Sequence, residues 1–173
     1  MTHPAHSLQL RPASTTTDFS AAAALIDSRD DNHHPLDHGA LRQARLLMLA
    51  WDGDVLAGCG AVKAGVGEVA ELGYLVVAKA YRRRGIAALL TQARIQWARQ
   101  AGIKLLWATV RAENSASRDN LLKAGWQFFG DYLSIRGTGN TIGWYVMLLA
   151  DDLDISALMA PVIGARLPVP ARP

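Results

Sequence analysis

The sequence predicts an α/β (α+β) fold, in which a mixed, mostly antiparallel central sheet is flanked by helices. Three observations carry this expectation. Apolar runs separated by glycine turns fill residues 45–77, a helical period of three and four follows the arginines at 82–84, and apolar runs alternate with helical patterns from 103 to 150. With 173 residues and 50% hydrophobic content, the chain is long enough to bury a substantial core. We read residues 1–150 as one domain and residues 151–173, which carry four of the seven prolines, as a loosely held Pro-rich tail or an arm for a partner subunit.

The elements follow in order. SLQLRPA (7–13) is a first strand, and Asp18 is placed to cap a helix through FSAAAALID, its carboxylate accepting first-turn N–H groups. SRDDNHHPLDHG (28–39) is a polar loop leading to a short helix around LDHGALRQ. RLLMLAW (45–51), a DGD turn and VLAGCGAVKA (55–64) form a hairpin, and AGVG leads to a third strand, EVAELGYLVV (68–77). After the arginines, Ile86, Leu89, Leu90, Ala93 and Trp97 share one helix face, and Gly102 ends the helix. IKLLWATV (103–110) is a buried strand. ENSASRDNLLKAG is a helix from Asn114 or Ser115 to Gly125, and WQFFGDYL and WYVMLLA (144–150) are the last strands.

Composition excludes several classes. No run approaches the roughly 20 apolar residues of a membrane span, and MTHPAHSLQLRP lacks the plan of a secretory signal, so the expected location is cytoplasmic with no membrane partner. A single cysteine, Cys59, rules out an internal disulfide framework and a multi-cysteine zinc site; within VLAGCGAV it reads as a small packed hydrophobe. The net charge of +3 and pI near 9.3 do not amount to a nucleic-acid surface, because the basic residues are not gathered on one face with interleaved aromatics.

The densest basic cluster, Arg82-Arg83-Arg84, stands where a strand becomes a helix. First-turn N–H groups lack internal partners and the helix dipole favours an anion there, so a glycine-bearing turn can wrap a phosphate. Gly85 permits close backbone approach and the arginines supply charge, which suits a ligand carrying a diphosphate. A solvated basic loop would use the same residues. No P-loop pattern is present, and Gly58-Cys59-Gly60 continues to Lys63 where a dinucleotide fingerprint requires glycine.

Arg82-Arg83-Arg84-Gly85-Ile86-Ala87 resembles the Q/R-x-x-G-x-G/A signature of the GNAT N-acetyltransferase superfamily. The strand end Leu75-Val76-Val77 and the segment from Asn114 to Lys123-Ala124-Gly125-Trp126 are similar to the family's neighbouring segments, so the resemblance spans roughly residues 8–150. It implies a GNAT-like sheet, acetyl-CoA as co-substrate, and direct attack of a primary amine on the thioester. The acceptor it implies is a small-molecule amine or, less favoured, a peptide or protein amine. The resemblance assigns the diphosphate to Arg82, Arg83, Arg84, Gly85, Ile86 and Ala87, and the pantetheine arm to Leu75, Val76, Val77, Asn114 and Ser117. As plain helix residues, Asn114 would be an N-cap and Ser117 would face solvent.

In one branch of the superfamily a glutamate eleven residues before the loop is the base, and Glu71 stands at that spacing, between apolar Ala70 and Leu72. A glutamate that salt-bridges an arginine would look the same. The sequence departs from the family at Leu121, where many members carry a tyrosine acid; either the thiolate leaves unassisted or Tyr132 or Tyr145 takes that role. Leu121 is also the argument for the alternative, a coenzyme-A-binding regulatory or interaction module without catalysis.

In the resembling fold, residues 28–39 border the acceptor cleft. Asp27, Asp30, Asp31 and Asp37 against one arginine would attract a cationic acceptor. His33, His34, Asp37 and His38 lack the helical i, i+4 spacing of a metal pair, and no metal is expected. Leu158, Met159, Val162 and Ile163 in the tail offer an apolar surface for a homodimer.

Overall fold

The computed structural model describes residues 8–29, 36–135 and 139–170. Seven strands hydrogen-bond in the order β1-β2-β3-β4-β5-β7-β6, and every neighbouring pair is antiparallel except β4–β5. The chain divides into two compact units, Met1–Ala64 with Leu72–Ala101, and Gly65–Glu71 with Gly102–Pro173.

In the first unit, β1 (Gln9–Pro12), β2 (Leu46–Asp52), β3 (Val55–Val62) and the C-terminal part of β4 (Val69–Val77) form an antiparallel meander. The expected hairpin turn is present, with Gly53 at φ +58. The cap of helix α1 (Thr16–Asp27) lies three residues earlier than the proposed Asp18. Thr15 is the N-cap, and Asp18 closes a capping box from the third helical position. The displacement has a physical reason: buried Asp18 also accepts from both terminal guanidinium nitrogens of Arg11 (2.7 and 2.9 Å) and from the Ser14 and Thr15 amides (2.9 and 3.2 Å). Helix α2 (His38–Arg42) is capped by Asp37.

Side chains of β3 alternate between two layers. Cys59 and Ala61 join Ala22, Ala23 and Ile26 of α1 and Leu41 of α2 in one core, while Gly58 and Gly60 face helix α3 (Ile86–Gln100). A Cβ at Gly58 would lie 3.1 Å from Leu90 and 3.2 Å from Ile86, so glycine lets the helix sit close to the strand. The buried face of α3 is Ile86, Leu90, Arg94 and Ala98. This corrects the expected stripe: Leu89 is exposed, and an arginine occupies the middle of the apolar row.

The second unit contains the N-terminal part of β4 paired with β5 (Leu105–Arg111), followed by α4 (Ser115–Lys123), β6 (Gln127–Leu133) and β7 (Thr141–Leu148). Residues 151–170 are not the loosely held tail expected from their prolines. They contain α5 (Ile155–Ile163), capped by Asp154, whose Met159 and Ile163 are buried with Val69, Leu105, Trp144 and Val146. Pro161 stands inside α5 and costs about 3 kcal/mol there, which the burial of Met159 and Ile163 together, about 1.5–3 kcal/mol each, offsets. Leu158 and Val162 are half-buried and pack against the same core, so all four residues expected to serve a homodimer have packing partners within their own unit. Beyond α5 the chain lies along β6, with Leu133 N donating to Leu167 O (3.0 Å) and Val169 N to Asp131 O (2.8 Å).

No helix among the described residues is long and apolar enough to cross a membrane.

Candidate coenzyme and catalytic site

The first unit holds the arginine loop. Strand β4 ends at Val77, a single 3-10 turn covers Lys79–Tyr81, and α3 starts at Ile86. Arg83 and Gly85 both adopt positive φ, +62 and +78, which bends the chain tightly around Arg84. Arg82, Arg83 and Arg84 are exposed. Arg82 Nε donates to Val77 O at 3.3 Å, tying the loop back to the strand end. Helices α1, α2, α4 and α5 each carry a capping side chain, whereas α3 begins at Gly85 with none. Its first-turn N–H groups therefore lack a side-chain acceptor just after three exposed arginines in sequence, an arrangement suited to an anion.

Sequence reasoning missed two residues that organise this loop. The Arg84 guanidinium lies over the Tyr81 ring, 5.2 Å from its centroid, and Tyr81 OH donates to Asp52 Oδ2 at 3.0 Å. The hydrogen bond to the Asp52 carboxylate raises the Tyr81 pKa, so the phenol stays a donor. Asp52 belongs to the β2–β3 hairpin, distant in sequence, and its place in the DGD turn pointed to turn formation alone.

Leu75 is exposed while Val76 is buried, as expected for a strand with one open side. Tyr74, just before them, has φ +52, a conformation that costs a non-glycine residue about 1–2 kcal/mol. It coincides with an irregularity in the β3–β4 ladder between Cys59 and Ala61. Cys59 is fully buried, and burial pushes its thiol up to about 12.

In the second unit, Glu71 is partly exposed and stands opposite Trp107 of β5 in the parallel ladder. β4 pairs with β5 only over Val69–Glu71. Trp107 stacks on Trp144 at 4.5 Å. Asn114 is the N-cap of α4, its Oδ1 accepting from Ser117 N at 3.1 Å, so the plain helix role is present; Ser117 is half-buried rather than solvent-facing. Leu121 is half-buried. The two tyrosines considered as acids occupy opposite faces. Tyr132 packs edge-on to Trp144 on the α5 side. Tyr145 is buried with its pKa raised, chiefly by desolvation, and the charges acting on it include Arg118 and Asp119 of α4.

Asp30, Asp31, His33 and His34 lie outside the described residues. Of the rest of that loop, Asp37 caps α2, and His38 Nε2 is 3.8 Å from Asp27 Oδ2. No group of three or more metal-ligating side chains occurs among the described residues.

Comparison with known proteins agrees with this geometry. The sequence pattern of the acetyltransferase (GNAT) family matches residues 13–126, and the chain belongs to that family. The match includes the arginine loop, α3, β5 and α4. A search of curated proteins finds no match. Among solved structures, the ribosomal-protein-S18-alanine N-acetyltransferase of Escherichia coli aligns with TM-score 0.70 at 18% identity, covering 86% of this chain and 97% of that one. A Bacillus subtilis acetyltransferase in complex with CoA gives TM-score 0.68 at 16% identity, covering 83% and 100%. A Salmonella typhimurium structure solved with its cofactor acetyl-CoA gives 0.70 at 15%, covering 85% and 96%. At these identities the likeness concerns the fold.

Proposed function

We propose that the chain is a cytoplasmic acetyl-CoA-dependent N-acetyltransferase acting on a primary amine, with a small-molecule acceptor favoured over a peptide. The observation that carries this reading is the arginine loop: an uncapped α3 N-terminus at Gly85, directly preceded by three exposed arginines. Arg82–Ala87 hold the coenzyme diphosphate, and the backbone of Leu75–Val77, with Asn114 and Ser117, serves the pantetheine arm. The coenzyme-bound Bacillus and Salmonella neighbours support the choice of ligand.

Glu71 is the base. The acceptor nitrogen attacks the thioester carbon while Glu71 takes its proton, directly or through water; the C–S bond then breaks and the thiolate is protonated. With leucine at position 121, Tyr145 is the better placed acid of the two tyrosines. It lies on the face of β7 opposite Trp144, near the Arg118 and Asp119 charges of α4, and as a phenol it carries its proton at neutral pH. Leu121 also sustains a second reading, a coenzyme-A-binding module without transfer.

Thiol release from acetyl-CoA against a panel of amino acids, polyamines, aminoglycosides and peptides separates the two. Release that needs one amine class, is lost in Arg84→Ala through coenzyme affinity and falls at least about tenfold in Glu71→Gln supports the enzyme. Coenzyme binding with only background hydrolysis across the panel rejects it in favour of the module. Unchanged Glu71→Gln turnover with an unchanged pH profile removes Glu71 from the mechanism.

A further inference from the structure

Arg94 is the one arginine in the apolar row of α3, and it is 2% exposed. Burial lowers its pKa to about 10, so the guanidinium stays charged at neutral pH. It donates to Leu90 O (3.1 Å) and Thr91 Oγ1 (3.0 Å) on its own helix, then crosses to the sheet, where Nη1 reaches Ala61 O (3.1 Å) and Gly73 O (3.2 Å).

Those two carbonyls belong to residues that face each other across β3 and β4. The next partners in the ladder are Cys59 and Val76, so one residue of β3, Gly60, spans the interval that Tyr74 and Leu75 fill on β4. This is a β-bulge, and Tyr74 takes its left-handed conformation inside it. Gly60 belongs to the same arrangement. A Cβ there would stand 2.9 Å from Arg94 Cζ, so the guanidinium occupies the space a side chain would need. Cys59 Sγ lies 3.7 Å from Tyr74 O, a weak contact on the other carbonyl of the bulge. In a regular ladder Gly73 O and Ala61 O would need no side-chain donor, and a buried charge is retained only where its hydrogen bonds compensate for lost water.

We infer that Arg94 is a positioning residue for the coenzyme: it clamps the β4 bulge and thereby sets the register of Leu75-Val76-Val77 against the arginine loop. The inference rests on the proposed role of that strand in holding the pantetheine arm. A purely structural arginine would contribute stability without any special link to Tyr74. A clamp acts through the unfavourable φ of Tyr74, so its loss matters less when residue 74 is glycine, which adopts positive φ freely.

The test compares the wild type, Arg94→Met, Arg94→Lys, Tyr74→Gly and the Tyr74→Gly/Arg94→Met double variant by calorimetric titration with coenzyme A. Amide exchange over Leu72–Ala78 is followed in the unliganded chains. Arg94→Met is expected to weaken coenzyme binding about tenfold or more, Arg94→Lys less, with faster exchange at Gly73–Val77 in both. In the Tyr74→Gly background the Arg94→Met loss is expected to shrink to roughly threefold or below. Wild-type affinity in Arg94→Met, or an equal loss in both backgrounds, overturns the inference. Should Arg94→Met not fold, Arg94→Lys carries the same comparison. A wild-type chain that binds no coenzyme A defeats the functional reading instead, and exchange at Gly73–Val77 then decides the clamp alone, unchanged protection in the variants overturning it.

Discussion

Replacing Gly85 by alanine separates a glycine required by the backbone from one required by a ligand. Gly85 has φ +78, and an added Cβ would meet nothing within 4 Å, so the substitution brings no clash in the unliganded chain. Its cost is the left-handed conformation itself, about 1–2 kcal/mol. For a chain of this length that lowers Tm by about 2–8 °C. Gly102, just past the other end of α3, supplies the control, because it has φ +75 and equally open surroundings. Gly85→Ala and Gly102→Ala should therefore melt within a few degrees of each other in differential scanning calorimetry. Coenzyme titration should distinguish them. A methyl group between the loop backbone and a diphosphate removes at least one charge-assisted hydrogen bond, about 1.5–3 kcal/mol, so Gly85→Ala should bind coenzyme A about tenfold to a hundredfold more weakly. Gly102→Ala should bind as the wild type does. Equal melting shifts with unaltered coenzyme affinity in both variants would refute the reasoning, since Gly85 would then serve the turn alone.

Further outcomes follow from other contacts. Asp18→Asn should destabilise the fold by about 2–4 kcal/mol at neutral pH, discounted because Arg11 remains 37% exposed. The Arg11 hydrogen bonds hold the Asp18 carboxyl well below the usual carboxylate range, so its contribution is complete above the unfolded value of about 3.9 and is lost as pH falls toward the folded one. Urea melts of the two proteins should thus differ by a constant amount above about pH 5 and converge in stronger acid. Cys59, buried and pushed up to about 12, should not react with dithionitrobenzoate in the native protein at about pH 8 and should react at once in denaturant. Rapid native labelling would mean that the first unit opens around β3. Tyr81→Phe should weaken coenzyme binding while Tm barely moves, because it frees the ring beneath Arg84; unchanged affinity would show that Arg84 needs no such support.

Much of the fold was legible because its signals are local. Glycines at 53, 85, 102 and 125 mark positive-φ positions that end or begin elements, and Asn114 heads α4 as its side chain requires. The β4 bulge was not legible, since register is set by facing residues on another strand. Arg94 was hidden for a related reason. Ile86, Leu90 and Ala98 recur at intervals of four and eight, and the arginine falls in their row, but charge argues against burial until the carbonyls that receive it are known. α5 was a different failure: Ile155, Leu158, Met159, Val162 and Ile163 have helical spacing behind an Asp cap, and four prolines drew attention from it. At the candidate site, the arginine loop announced itself through a strand, a glycine and a helix in sequence. Its supports, Tyr81 and Asp52, met only through folding.

The segment after α5 also sets where this chain can be shortened. Leu167 and Val169 lie against β6, which is otherwise the last strand in the pairing order. A chain cut after Ala150 would bare Leu133 N and Asp131 O along that edge and uncover the core beneath Met159 and Ile163. An open strand edge beside exposed apolar surface is a template for intermolecular pairing. The family match ends at residue 126, yet the edge of β6 is covered by residues some forty positions further on, which act as a built-in edge guard.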